Sequence, residues 1–501
     1  MKKKYISFLL SALLLGGFTS CSDWLDVEQN IEKDAEEMFD TYDGFKGALT
    51  GCYSDLAKTD LYGTRMTMSN VDALASLWYM DGGIDYRDNI QENYYLRVHD
   101  YSQTMTQDVF QTLYSNLYNA VLETSMVIKA FRDGKGSSIP DAASRAVVEG
   151  EAYGLRAFLH LDILRLFGQV PNNATIQVSL PYSEITSYEE DLNYCTFDEY
   201  VAKLKADIEQ AKALLKDNDP IFQYTLAELN ELGDGVSVED DFMTFRQYRM
   251  NYWAVRALEA RMYMYLGDKT TAHDIAMEVI NATTVDGDPV VTLSSATDYG
   301  QATNRRYMSP SECLFSLYFD NLYDISVPLL HGIPTSVNSL SGVNRQDNLT
   351  LTTSWKADLF QGCDANDIRS RFMWADTRDG QSDVYPSISK YYVSEESPAG
   401  VIPLLRLSEM YLIAIEGAST LAEANTLYST YMISKEVSRT DYFKSMDEVM
   451  TELPKEYRRE FFAEGQMFYY YKRNNTRNLW SNESMTMDEG LYIIPNPDTD
   501  F

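Results

Sequence analysis

The chain has 501 residues, with 75 Asp and Glu against 42 Lys and Arg, for a formal net charge of −33 at pH 7. That charge repels phosphate backbones and anionic surfaces, which argues against a nucleic-acid partner and favours neutral or cationic ones. A 45% hydrophobic fraction with 13% aromatics supplies a large core and excludes a disordered chain.

Lys2, Lys3 and Lys4 precede an apolar run from Ile6 to Phe18. Thirteen helical residues rise only about 20 Å, short of the ~30 Å hydrocarbon core, so the run reads as a secretory signal. Phe18, Thr19 and Ser20 before Cys21 resemble a bacterial lipobox, with Phe18 standing where Leu is usual. On that reading residues 1–20 are a lipoprotein signal peptide, Cys21 is the lipid attachment site, and 21–501 is the mature body. Loss of the three lysines takes the charge from −33 to −36. Acyl chains on Cys21 contribute roughly 0.8 kcal/mol per buried CH₂ and would anchor the chain stably. Asp23 and Asp26 resemble signals that send lipoproteins to the outer face of the outer membrane.

Helical periodicity dominates from there. In "FKGALTGCYSDLAK", Phe45, Ala48, Leu49, Cys52, Tyr53 and Leu56 share one helical face. Phe110, Leu113, Tyr114, Leu117, Tyr118, Val121 and Leu122 continue the rhythm, and a third long helix runs through "AVVEGEAYGLRAFLHLDILRLFG" to stop at Gly168. "TFDE" places Thr196 as N-cap and Glu199 three residues on, a capping box, ahead of a stripe of Val201, Leu204, Ile208, Ala211 and Leu215. "NYWAVRALEARMYMYLGD" with "TTAHDIAMEVI" has the texture of a tetratricopeptide hairpin, its small Ala254, Ala257 and Ala260 letting helices approach. "LLRLSEMYLIAIEGAST" with "LAEANTLYSTYMI" predicts a second hairpin, and "EYRREFFAEGQMFYYYKR" a late helix. Between the hairpins, about 282–400, Gly, Ser, Asn, Asp and Pro accumulate around short β-like runs such as "ECLFSLYF". The expected fold is mainly α: tetratricopeptide-like hairpins forming a right-handed scaffold, with an irregular, loop-rich subdomain carrying short strands. The helical parts span about 31–281 and 401–501, and the loop-rich insertion, about 282–400, is expected to face the ligand.

The chemistry of an enzyme is hard to find. There is no G-x-G-x-x-G, P-loop, H-E-x-x-H or G-x-S-x-G, so neither cofactor nor catalytic residue nor metal site is assigned. Of four histidines, His160 and His273 fall in helices and read as packed or surface residues. "DTRDGQSD" lacks the alternating ligands of a calcium loop. Besides Cys21 there are Cys52, expected as a buried small hydrophobe, and Cys195, Cys313 and Cys363, whose spacing leaves one disulfide open. Aromatics are abundant, with 37 tyrosines and 6 tryptophans. Flat rings stack on the C–H faces of sugars, and those in irregular context are the candidates: Trp78, Tyr79 and the neighbouring Asp81, Tyr299 with Arg305, and Trp355 and Trp374.

These pieces together resemble one family. "GEAYGLRAFLHLDILRLFGQVP" is similar to a signature of the SusD/RagB surface lipoproteins through Gly150, Glu151, Ala152, Leu155, Arg156, Ala157, Asp162, Leu164, Arg165, Phe167, Gly168, Val170 and Pro171. "LLRLSEMYLIAIEG" resembles a second signature through Arg406, Glu409, Tyr411 and Glu416. "RREFFAEGQMFYYYKR" resembles a third through Glu460, Glu464, Gly465, Lys472 and Arg473, and "LYIIPNPDTDF" the closing segment. Met467, Tyr470 and Asn496 depart from the pattern. Glu151, Arg156, Arg406, Glu409 and Glu464 are expected to pair between helices as scaffold. The resemblance implies a non-enzymatic lipoprotein on the external face of the outer membrane. Such a protein would act as a lid on a SusC-like TonB-dependent transporter and deliver oligosaccharides to it. The alternatives are an oligopeptide-binding lid of RagB type, suited to cationic peptides, and a helical scaffold that binds only proteins.

Overall fold

Where the sequence supplies both an apolar stripe and an N-cap, the chain is helical. The computed structural model describes residues 37–80, 88–233, 235–295, 310–331, 349–378, 384–438, 442–480 and 485–497; Cys21 and the signal segment lie outside them. Helix α1, Tyr42–Leu56, starts at Thr41, whose hydroxyl accepts from the Gly44 amide, and buries Phe45, Leu49, Cys52 and Leu56. Helix α2, Asp88–Arg97, is followed by α3, Thr104–Arg132, which buries the expected Phe110, Leu113, Tyr114, Leu117, Tyr118, Val121 and Leu122. Helix α4, Ala142–Phe167, is capped by Asp141 and ends at Gly168 as its sequence indicates. Every residue from Gly150 to Phe167 is buried, so α4 runs through the interior, with α3 and α5 (Phe197–Leu215) packed on it. The α5 capping box forms in both directions, the Glu199 amide donating to Thr196 Oγ1 and the Thr196 amide to Glu199 Oε2.

Two helical hairpins follow. Helices α6, Tyr252–Tyr265, and α7, Lys269–Ile280, turn through Gly267 at φ +87°, and Asp268 caps α7. Ala254, Ala257 and Ala260 are fully buried, which lets neighbouring backbones close on α6. After α8, Thr353–Leu359, the second hairpin pairs α9, Leu407–Gly417, with α10, Leu421–Ser434. The hairpins stack α7 on α9: His273 Nδ1 lies 2.8 Å from the Ala414 carbonyl oxygen, and a Cβ on Gly417 would stand 2.4 Å from the Lys269 carbonyl oxygen. The chain closes on α11, Met446–Phe461, and α12, Met467–Arg473.

Strands are short and paired antiparallel: β1 Leu180–Pro181 with β2 Tyr194–Cys195, β3 Cys313–Phe319 with β6 Gly400–Arg406, and β4 Trp374–Arg378 with β5 Val384–Ile388. The β-like run at 312–319 is therefore a strand, and its pairing with β6 ties the loop-rich region to the helices that follow. Two expectations need correction. The helix expected from Leu404 begins at Leu407, because β-branched Val401 and Ile402 ahead of Pro403 favour extended backbone and pair with β3. The late helix is also broken, into α11 and α12, by a turn with Ala463 at φ +63° and Gly465 at φ +68°. The buried Asp72 carboxylate holds that turn, accepting from the Ala463 and Gly465 amides at 2.5 and 3.1 Å.

The residues expected as scaffold pair as scaffold. Glu151 accepts from Tyr53 at 2.6 Å and pairs with Arg246 and Arg249, while Arg156 forks onto Asp207 at 2.7 Å twice. Arg261 meets Glu409 at 2.7 and 2.6 Å, and Arg473 meets Glu416 at 2.8 and 2.6 Å. Arg406 reaches Glu464 at 2.7 Å, Glu312 at 2.7 Å and Glu460 at 2.5 Å, so one guanidinium joins β6, α11 and the turn before α12. Such pairs contribute register more than net stability, since their desolvation offsets much of the attraction. All four described cysteines, Cys52, Cys195, Cys313 and Cys363, are free thiols, so no disulfide links the last three. No described helix is long and apolar enough to cross a membrane.

Candidate functional site

Three aromatic rings from distant segments meet at one half-buried place. Tyr79 follows the short helix Asn70–Leu74, and its amide donates to the Thr350 carbonyl at 3.1 Å, which brings that segment beside the start of α8. Thr352 caps α8 by accepting from the Trp355 amide at 3.2 Å, fixing Trp355 on the first turn. The Tyr79 and Trp355 rings lie edge to face, 5.2 Å apart at 89°. Trp480, after α12, lies 5.6 Å from Trp355, and its Nε1 donates to the Asp358 carboxylate at 2.5 Å. Two guanidiniums flank the rings: Arg97, in the last turn of α2, lies over Trp355 at 5.3 Å, and Arg458, on α11, over Trp480 at 4.9 Å. Burial holds the Arg97 guanidinium below the usual arginine range. The cluster therefore offers flat apolar faces beside an anchored carboxylate and two cations, the mixture that stacks a sugar ring and bonds its hydroxyls.

Sequence reading finds Tyr79 and Trp355, and the fold brings them together. It misses Trp480, although "NLWSNES" has the same irregular, polar context as the tryptophans it selects. Asp358 and Trp480 are 122 positions apart, and nothing local joins them. Trp78 and Trp374 stand elsewhere, and this corrects the expectation for both. Trp78 is fully buried, its Nε1 donating to the Met68 carbonyl at 2.9 Å. The rings of Trp78 and Trp374 clasp Phe462 from 4.8 and 5.0 Å, so both are core residues that support the broken turn between α11 and α12. Asp81, Tyr299 and Arg305 lie outside the described residues.

No acid–base constellation accompanies the rings among the described residues. His160 is stacked on Tyr182 at 3.7 Å and accepts from the Ser183 amide, and burial drives its pKa well below the usual value. His99 is buried against the Tyr101 hydroxyl and pushed down to about 4 by desolvation, while His273 serves the hairpin interface. No group of three His, Cys, Asp or Glu among the described residues is placed to hold a metal. A separate cleft of about 450 Å³ lies between α10, α11 and the Gln361–Asp364 turn, and its carboxylates Glu452 and Glu456 are already paired with Arg459.

The body is mainly helical, built of stacked hairpins, and the aromatic cluster sits where loops cross it. Residues 23–226 match a family model described as SusD-like, starch-binding and associating with the outer membrane. Solved structures share the fold along nearly the whole chain. A SusD superfamily protein from Bacteroides thetaiotaomicron is 20% identical, with TM-score 0.65, covering 92% of this chain and 97% of that one. A SusD-like carbohydrate-binding protein from Bacteroides vulgatus is 16% identical, with TM-score 0.64, covering 87% and 83%. Surface glycan-binding protein A from Bacteroides uniformis is 16% identical, with TM-score 0.62, covering 90% and 93%. No curated protein matches the chain. Residues 23–226 thus match the SusD-like family model, and the fold that these solved structures share extends through the rest of the chain.

Proposed function

We propose that this chain is a cell-surface glycan-binding lipoprotein that acts as a lid on a SusC-like TonB-dependent transporter and delivers oligosaccharides to it, without catalysis. Cys21 carries the lipid, and the body stands outside the outer membrane. The observation that carries the glycan assignment is the surface cluster of Tyr79, Trp355 and Trp480, whose indole is anchored by Asp358. The family's description and the names of the fold's relatives support it. A lid of this kind needs only modest affinity, because a second surface on the transporter supplies effective concentration.

The test is calorimetric titration of the soluble body, residues 22–501, against a panel of oligosaccharides. One class should bind, and Trp355→Ala and Trp480→Ala should each weaken it about 3–10-fold, the worth of a stacked ring. Binding of oligopeptides with no saccharide hit rejects the glycan reading in favour of a peptide lid. Hydrolysis of any glycan by the pure chain rejects the non-enzymatic one.

A further inference from the structure

We infer that the aromatic cluster takes an anionic saccharide, one bearing carboxylate or sulfate groups, with Arg97 and Arg458 as its charge readers. The inference rests on the glycan reading above and names its substrate class. Buried arginines elsewhere in this chain are answered by carboxylates: Arg156 by Asp207, Arg246 by Asp219, Arg261 by Glu409, Arg369 by Asp367 and Arg473 by Glu416, each through two hydrogen bonds. Arg458 breaks that habit. Its guanidinium lies over Trp480, makes no ion pair or hydrogen bond among the described residues, and buries Nε without a partner. The arginine beside it on α11 takes the nearby carboxylates, Arg459 binding Glu452 at 2.8 Å and Glu456 at 2.7 Å. With 75 acidic residues in the chain, a guanidinium that no described carboxylate answers, set against a half-buried aromatic row, is a local reversal of charge.

Arg97 lies over Trp355 at the other end, so the order is cation, indole, indole, cation. A guanidinium presents a planar fork that matches carboxylate or sulfate oxygens in pairs, while a neutral hydroxyl uses one prong of it. The chain's overall negative field does not forbid this, because at physiological salt it is screened beyond about 8 Å and the two near cations dominate at contact.

The experiment titrates residues 22–501 with oligogalacturonate, a sulfated oligosaccharide and neutral malto- and xylo-oligosaccharides of equal length, at low and high salt. An anionic member should bind roughly tenfold or more tighter than the neutral ones, with affinity falling as salt rises. Arg458→Met, which keeps the alkyl stem, should erase that preference, and Arg458→Lys should keep part of it; thermal melts of both verify folding. Whether the carboxylated or the sulfated arm is stronger identifies the anion. Neutral sugars binding as tightly as anionic ones, or an anionic preference that survives R458M, overturns the inference while leaving the glycan reading intact. An acidic peptide that binds where no saccharide does overturns both.

Discussion

Glu460 touches Arg406 at 2.5 Å and accepts from the Tyr431 hydroxyl at 2.5 Å, a carboxylate fully enclosed by the cations and hydroxyls of other elements. Burial alone would raise its pKa; Lys435, Arg406, Arg369 and Lys390 outweigh that and hold it well below the usual carboxylate range. Glu151, Glu312, Glu416 and Glu456 are held low in the same way, desolvation opposed by Arg249 and Arg246, Lys435 and Arg406, Arg473, and Arg369 and Arg459 respectively. A carboxylate depressed on folding stabilises the native state above its unfolded value, near 4.3, and that stability is lost as pH falls through the folded value. Asp72 runs the other way, pushed up by burial, and so do Glu123, raised to about 7, and Glu149; these three gain stability as pH falls toward 4. The melting temperature should therefore hold or rise slightly from about pH 7 to 5 and fall steeply below about pH 4. A scanning-calorimetry series that stays flat to pH 3 would show that these carboxylates are not ionised in the fold.

Elements were legible in proportion to how local their causes are. The α5 capping box, the stop of α4 at Gly168 and the two hairpins follow from residues within a turn or two of each boundary, and all form, the second hairpin starting three residues later than read. The break between α11 and α12 was not legible, because its cause sits nearly 400 positions away: Asp72 and the Ala463 amide are separated by 391 residues. The same holds at the site. Tyr79 and Trp355 could be picked by context, but Trp78, the residue just before Tyr79, could not be told from its neighbour. Its fate depends on Phe462 and the Met68 carbonyl, which only the fold supplies. Trp480 needed Asp358 for the same reason. The broken turn yields a test of its own. Gly465 has φ +68°, and a Cβ there would stand 1.9 Å from the Met66 carbonyl oxygen. Gly465→Ala should cost at least about 2 kcal/mol, from left-handed strain plus the clash, read as a drop in the urea midpoint. A midpoint within error of wild type would mean that the turn does not pin the two halves of the chain together.

The proposed lid combines an acyl tether, a helical scaffold and an aromatic site. The tether makes a sharp prediction. Cys21→Ser, or inhibition of the lipoprotein signal peptidase, should move the chain from the membrane pellet to the soluble fraction, since a single cysteine carries all the acyl chains. Unchanged membrane partitioning would separate the chain from the lipoprotein reading while leaving its fold untouched. The central claim, that Tyr79, Trp355 and Trp480 hold the ligand, is tested most directly by a crystal structure of residues 22–501 soaked with its best-binding oligosaccharide. The expected result is a sugar ring in van der Waals contact with the Trp355 or Trp480 indole; a saccharide seated in the cleft beside Gln361–Asp364, with those rings bare, would contradict it.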